Sequence, residues 1–275
     1  MLKDITLGQY FPGNTLLHRL DPRVKLCVTM LYIVALFLCN GPIAYPIMTA
    51  LLIAAIFTSK IPMRTIFKSL RPILILLLIT TLFNVFYVQD GSVLFQWGFL
   101  RITDYGLYNA FFLIVRIVLL IACTFVMLTY TTSPIMLTDA IESLLSPLKK
   151  IHLPVHELAM MMSIALRFIP TLLDETDKIL SAQKSRGADF ESGNIFSRAK
   201  ALVPILVPLF ISAFRRAEDL AIAMESRCYR GGKGRTRLRT LKMHRSDVFV
   251  LVLVILTIAL AVTVRYTISF GIMIP

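Results

Sequence analysis

Residues 107–130 read LYNAFFLIVRIVLLIACTFVMLTY, with Arg116 as the sole charge. A helix that crosses a bilayer needs roughly 17–25 predominantly apolar residues, so this stretch predicts a membrane span. Working outward from it, four further apolar runs lie at 24–39, 43–58, 72–88 and 248–264. Several are at the short end for a span, which predicts tilt, snorkelling flanks or local thinning of the bilayer. The chain is 57% hydrophobic and 16% charged, against about 25% charged residues in a soluble domain. These features predict an all-α, polytopic membrane protein of about five transmembrane helices. Its N-terminal membrane region would cover 1–130 and hold four of them, and 246–275 would supply the last. Residues 1–23 are mixed and polar, with Pro12, Gly13 and Pro22, and no small-residue cleavage site follows the first span, so no cleavable signal peptide is expected.

The net charge of +13 would suit a nucleic-acid binder, but the positions of the cations argue otherwise. Four Lys and Arg lie in 1–25, four in the 60–71 connection (Lys60, Arg64, Lys68, Arg71) and eighteen in 131–245. The connections at 40–42 and 89–106 hold only Arg101 between them. Cytoplasmic loops carry the excess of Lys and Arg. The pattern therefore predicts a multi-pass protein of the cell membrane with its N-terminus, 60–71 and 131–245 in the cytoplasm. Cys27, Cys39 and Cys123 fall in apolar runs as small hydrophobes, and Cys228 stands alone in the basic region.

Residues 131–245 open with Thr131-Thr132-Ser133-Pro134, capping residues followed by the proline that suits a first helical position. A helix is expected from there to about Lys150. A long helix follows over about 155–186, with Leu158, Met162, Ala165, Ile169 and Leu172 on one stripe. After Gly187 and Gly193 a second runs over about 198–228, striped by Phe210, Ala213, Ala217, Leu220 and Met224, with Arg215, Arg216, Glu218 and Asp219 on other faces. The two helices are loosely repeated. Each carries proline (Pro170; Pro204 and Pro208), and each closes on Ala-x-x-Ser-Arg before a small residue, at Ala182–Gly187 and Ala223–Cys228. A rival reading makes 156–173 and 201–214 two more spans. It would put Lys178, Lys184, Arg186, Arg198 and Lys200 outside and Arg167 within a span, against the charge rule. Cytoplasmic helices this apolar need a partner to cover their stripes.

No catalytic constellation is present. His156-Glu157-Leu158-Ala159-Met160 has Met where a zinc protease helix needs its second His, and Pro154 spoils a helical pair of His152 and His156. Gly231-Gly232-Lys233-Gly234 lacks the glycine spacing and the Ser or Thr of a phosphate-binding loop. This chain is therefore expected to bind no cofactor or metal and to have no enzymatic activity of its own. The basic tail Arg230–Arg245 suits anionic lipid headgroups rather than nucleic acid. Arg116 is read first as a residue that snorkels or bridges helices, and the runner-up function is a self-sufficient permease or channel that uses it. Arg186 and Arg227 are different because they repeat: two matching arginines at two helix tips suit a partner with two equivalent pockets.

At these residues the chain resembles the transmembrane T component, the energy-coupling subunit, of energy-coupling factor (ECF) type ABC transporters. The resemblance covers nearly the whole chain. It rests on Leu7-Gly8-Gln9-Tyr10, on His18-Arg19-Leu20-Asp21-Pro22-Arg23 with Lys25, and on Leu166-Arg167-Phe168-Ile169-Pro170. It rests also on two Ala-Arg-Gly-type signatures, at Ser185-Arg186-Gly187 and at Ser226-Arg227-Cys228, the second running on into Tyr229-Arg230-Gly231-Gly232. Here Ser replaces the family's Ala in both signatures and Cys replaces Gly in the second, which leaves the helix end at Cys228 open. The resemblance implies a subunit that joins two ABC-type ATPase subunits to one small membrane S component carrying a vitamin or metal ion. ATP and magnesium would be bound in the ATPases. The two signatures would dock on the ATPases, and the two apolar stripes would hold the S component.

Overall fold

The structure is a computed structural model that describes residues 10–38, 42–87, 91–97, 100–190, 194–231 and 241–271. Leu7 to Gln9, Cys39, Gly193 and most of the basic tail lie outside the described residues. In order come α1 (Leu16–Arg19), α2 (Pro22–Leu38), α3 (Ala44–Ser59), α4 (Met63–Tyr87), a hairpin of β1 (Val93–Trp97) and β2 (Leu100–Thr103), and α5 (Asp104–Thr124), which continues as a π-helical turn over Phe125–Tyr130. Then follow α6 (Pro134–Leu144), a 3-10 turn (Ser146–Ile151), α7 (Val155–Ser185), α8 (Ile195–Ser226) and α9 (Arg245–Gly271). The chain forms two compact units. Among the described residues, one holds 10–140 and 241–271 and the other 141–231.

Two helix starts follow side-chain caps. Thr103 accepts the Gly106 N–H at 3.1 Å ahead of α5, and Ser133 accepts that of Met136 at 3.3 Å ahead of α6, with Pro134 in the first helical position. α6 ends at Leu144, short of the predicted Lys150, because the chain tightens there into the 3-10 turn containing Pro147. The hairpin in the 89–106 connection escapes a reading made for helices: its strands are of five and four residues.

Among the described residues, five helices are long and apolar enough to cross a membrane: Met63–Tyr87, Asp104–Tyr130, Arg245–Val264, Val155–Ser185 and Phe196–Ser226. The second and third contain the expected spans at 107–130 and 248–264, and the first covers that at 72–88 up to Tyr87. The expected spans at 24–39 and 43–58 are helices of 17 and 16 residues, at or below the short limit for a crossing. α7 and α8 pass the same test of length and composition with the lowest mean hydropathies, 1.2 and 1.5, against 1.9 to 2.8 for the other three.

The larger unit packs four apolar helices on one another. α2 buries Val24, Val28, Tyr32 and Leu36, α3 buries Met48, Leu52 and Ile56, α5 buries Leu119 and Ala122, and α9 buries Val254 and Ala261. Spacings of three, four and, in α9, seven place each set on one helix face. Tyr32 donates its hydroxyl to the Met48 carbonyl at 3.1 Å, which satisfies a buried polar group where lipid supplies no partner. Arg116 is engaged in the same way. Its Nε donates to the Tyr45 hydroxyl at 2.9 Å, and its guanidinium lies 5.8 Å from the Phe37 ring and 5.9 Å from the Tyr45 ring. It thus ties α5 to α2 and α3, the bridging reading of the two.

A buried polar cluster closes this unit where the chain leaves for α6 and returns through α9. Asp247, fully buried, accepts the Asp21 N–H at 2.9 Å and the His244 N–H at 2.6 Å. Lys25, 1% exposed, donates to the Thr131 carbonyl at 2.8 Å. Thr131 and Thr132 both donate their hydroxyls to the Met127 carbonyl, each at 2.9 Å, at the end of the π-helical turn. Buried charges persist where hydrogen bonds satisfy them.

Candidate functional site

The smaller unit carries the repeated helices, and these end alike. After α7, the Gly187 N–H donates to the Lys184 carbonyl and the Ala188 N–H to the Gln183 carbonyl, both at 3.0 Å. After α8, the Cys228 N–H donates to the Glu225 carbonyl at 2.8 Å and the Tyr229 N–H to the Met224 carbonyl at 3.0 Å. This nested pair of bonds is the Schellman termination, which requires a left-handed residue after the last half-helical one. Gly187 takes it at φ +86° and Cys228 at φ +58°. The helix end left open by the replacement of Gly with Cys therefore keeps the same geometry. A side chain in this conformation costs about 1 kcal/mol.

Arg186 and Arg227 occupy the equivalent cap position before these residues. Ser185 and Ser226 fold their hydroxyls back onto the helix, donating to Ser181 at 3.1 Å and to Ala223 at 3.0 Å. All six signature residues are exposed. The guanidinium groups of Arg186 and Arg227 make no hydrogen bond or ion pair among the described residues. Each tip thus presents one planar cation with five donors beside a turn whose own backbone bonds are complete.

The same two helices pack on each other. Arg216 of α8 donates to Glu175 of α7 at 2.6 Å, and Ser212, one turn earlier, also bonds that carboxylate, which together with Arg216 holds Glu175 below the usual carboxylate range. Glu175 and Arg216 each stand ten residues before the last helical residue of their helix. The two C-terminal arms beyond this tie are therefore equal, about 15 Å each at about 1.5 Å per residue. Arg216, which the sequence puts off the stripe, is half-buried along with Leu209, Ala213, Leu220 and Met224, and Ile205 is buried.

The ten stripe residues accordingly divide. Leu158, Met162, Ala165, Phe210 and Ala217 are exposed, whereas Ile169, Leu172, Ala213, Leu220 and Met224 are half-buried. On α8 the open apolar face is turned from the predicted line and runs through Leu206, Phe210 and Phe214, the last two rings 5.6 Å apart. Spacing by four marks this line in the sequence too, but the flank that α7 covers is equally apolar, so periodicity alone does not separate them. His156 donates or accepts across a 3.0 Å contact with Glu142, which ties α7 back to α6.

Residues 13–238 match the cobalt transport protein family, CbiQ. Curated relatives align over nearly the full chain. An energy-coupling factor transporter transmembrane protein EcfT from Ruminiclostridium cellulolyticum is 54% identical over 250 residues, covering 91% of this chain and 93% of its own length. The protein of that name from Clostridium kluyveri is 56% identical over 248 residues (90% and 92%), and that from Bacillus subtilis 47% over 265 residues (96% and 100%). A match of this extent, on a helical chain with two equivalent arginine-tipped helices, places the protein in the cobalt transport protein family, to whose energy-coupling factor transmembrane proteins it is similar along almost its whole length.

Proposed function

We propose that this chain is the non-catalytic coupling subunit of an ATP-driven ECF importer of a vitamin or other micronutrient. Arg186 and Arg227 each dock in a groove of one of two ABC-type ATPase subunits. The exposed apolar faces of α7 and α8 hold one membrane-embedded S component that carries the substrate. ATP and magnesium bind in the ATPases. The observation that carries this reading is the equivalence of the two tips: one termination geometry, one arginine with no ion pair among the described residues and one arm length beyond the Glu175–Arg216 tie. Closure of an ATPase pair would draw the two tips together, and two helices fastened at one point would turn that motion into a change of angle under the S component. In this arrangement 131–245 lies in the cytoplasm, as the distribution of Lys and Arg requires, and α7 and α8 lie against the membrane without crossing it.

Co-purification in mild detergent tests the assembly. The intact chain should bring down two ATPase copies and one small membrane protein, and the Arg186→Ala/Arg227→Ala variant should lose the ATPases. Uptake by the chain alone in liposomes would overturn the reading in favour of a self-sufficient permease.

A further inference from the structure

The two faces of α4 differ in a way that the coupling function does not use. Its inner face buries Ile66 and half-buries Ile73, Leu77, Thr80 and Asn84. Its exposed outer face is broad and takes in Phe67, Leu74, Leu76 and Phe83. Along it one lane, recurring at alternate steps of four and three, joins the helix's basic end to its apolar body: Arg64, Lys68, Arg71, Ile75, Leu78 and Leu82. All six are exposed, the three apolar ones at 72%, 66% and 53%. The three cations make no ion pair or hydrogen bond among the described residues, and no Asp or Glu occurs between Lys60 and Tyr87.

The lane's dimensions are those of one lipid. At about 1.5 Å per residue the basic part spans about 10 Å, enough to cross a headgroup layer of about 5–8 Å. The apolar part from Arg71 to Leu82 spans about 16 Å, against about 15 Å for half of a hydrocarbon core roughly 30 Å thick. Within the lane the change from basic to apolar is complete at Arg71. Pro72 follows at once, and its missing N–H removes the helical bond to the Lys68 carbonyl, an acceptor for a hydroxyl-bearing headgroup. A partner helix would match the apolar half and leave three cations without counter-charge. A zwitterionic lipid would match the length and leave the same cations half-compensated.

We propose that the outer face of α4 is a binding lane for one anionic glycerophospholipid. The phosphodiester sits on Arg64, Lys68 and Arg71, and an acyl chain lies along Ile75, Leu78 and Leu82, in the inner leaflet for a chain whose basic connections face the cytoplasm.

The test uses the transporter purified with its partners and exchanged into nanodiscs of phosphatidylcholine and phosphatidylglycerol at three to one. Native mass spectrometry should show phosphatidylglycerol retained over phosphatidylcholine by at least tenfold relative to the nanodisc composition. Each Lys or Arg near an anionic surface contributes about fivefold, so Lys68→Gln/Arg71→Gln should lower phosphatidylglycerol occupancy about 25-fold. Adding Met63→Lys to that variant keeps more charge at the inner end of α4 but off the lane, and should not restore it. Equal retention of the two lipids, or unchanged occupancy in the variant, would overturn the proposal. A photo-crosslinker attached at Leu78→Cys in the otherwise unaltered complex gives an answer independent of the charge variants. Crosslinks to phospholipid support the lane, and crosslinks to a protein chain overturn it.

Discussion

In the membrane unit, α2 hides Val24, Val28, Tyr32 and Leu36 against its neighbours, and the charged residues Lys25 and Asp247 are 1% and 0% exposed within hydrogen bonds. In the long-helix unit, α8 leaves Leu206, Phe210 and Phe214 open, with Phe210 63% exposed, while Arg186 and Arg227 stand at the tips without an ion pair among the described residues. The first unit holds its most deeply buried charges, Lys25 and Asp247, in internal hydrogen bonds. The second leaves both its apolar faces and its signature cations unmatched, as a surface built to be completed by other chains does. Substitutions of similar chemistry should therefore act on stability in one unit and on assembly in the other.

The largest effect is expected at Asp247. Asp247→Ala strands the buried N–H of Asp21 and the part-buried N–H of His244. An orphaned buried donor costs about 1–3 kcal/mol and a part-buried one less, so about 2–4 kcal/mol of stability should be lost, read as a lower melting temperature of the purified chain. A shift no larger than that of a surface substitution would show that the membrane unit does not depend on its polar cluster. Next come the tips. Arg186→Ala and Arg227→Ala should each weaken ATPase association about tenfold and together about a hundredfold, at about 1.4 kcal/mol per tenfold, with the melting temperature of the isolated chain unchanged. Titration of ATPase onto the immobilised chain measures this. If both variants bind as the parent does, the tips are ordinary helix ends.

Phe210→Asp sharpens the contrast further. An exposed position tolerates polarity within about 0.5 kcal/mol in the isolated chain, yet an aromatic anchor lost from an interface costs about 2 kcal/mol, roughly thirtyfold. The small membrane partner should be lost on purification while the ATPases remain. Leu172 and Leu220 are poorer probes, because both are half-buried and a polar residue there would also disturb the long-helix unit itself.

The same contrast explains what the sequence could disclose. Charge distribution and run length were enough for the helical membrane class and for the extents of α7 and α8, since Val155–Ser185 and Ile195–Ser226 fall within three residues of the bounds read from periodicity. The repeated Ser-Arg ends were legible because a helix stop is a local event. Which face of a uniformly apolar helix is covered was not legible: α2 and α3 show no useful periodicity when lipid and core are equally apolar. Nor was the tie of Asp21 to Asp247, which joins residues 226 positions apart. Arg216 was misplaced for a related reason, since a charged side chain on a covered flank needs Glu175 and Ser212 from outside its own stripe to be intelligible.

The smallest effect concerns the difference between the two tips. Gly187 has no side chain and sits at φ +86°, with nothing within 4 Å of where a Cβ would lie. Cys228 holds the equivalent place at φ +58° with a side chain that resists it. Cys228→Gly removes that resistance but gives the unfolded chain more freedom, so the net gain should be about 0.5–1 kcal/mol. The Schellman bonds of Cys228 and Tyr229 should persist, visible as slower amide exchange at both positions. ATPase affinity through Arg227 should then stay within about twofold, because the arginine is held by the backbone geometry that both residues support. A rise in affinity well beyond the stability gain would mean instead that the cysteine keeps the second tip looser than the first, and that the two ends, alike in bonding, are not alike in use.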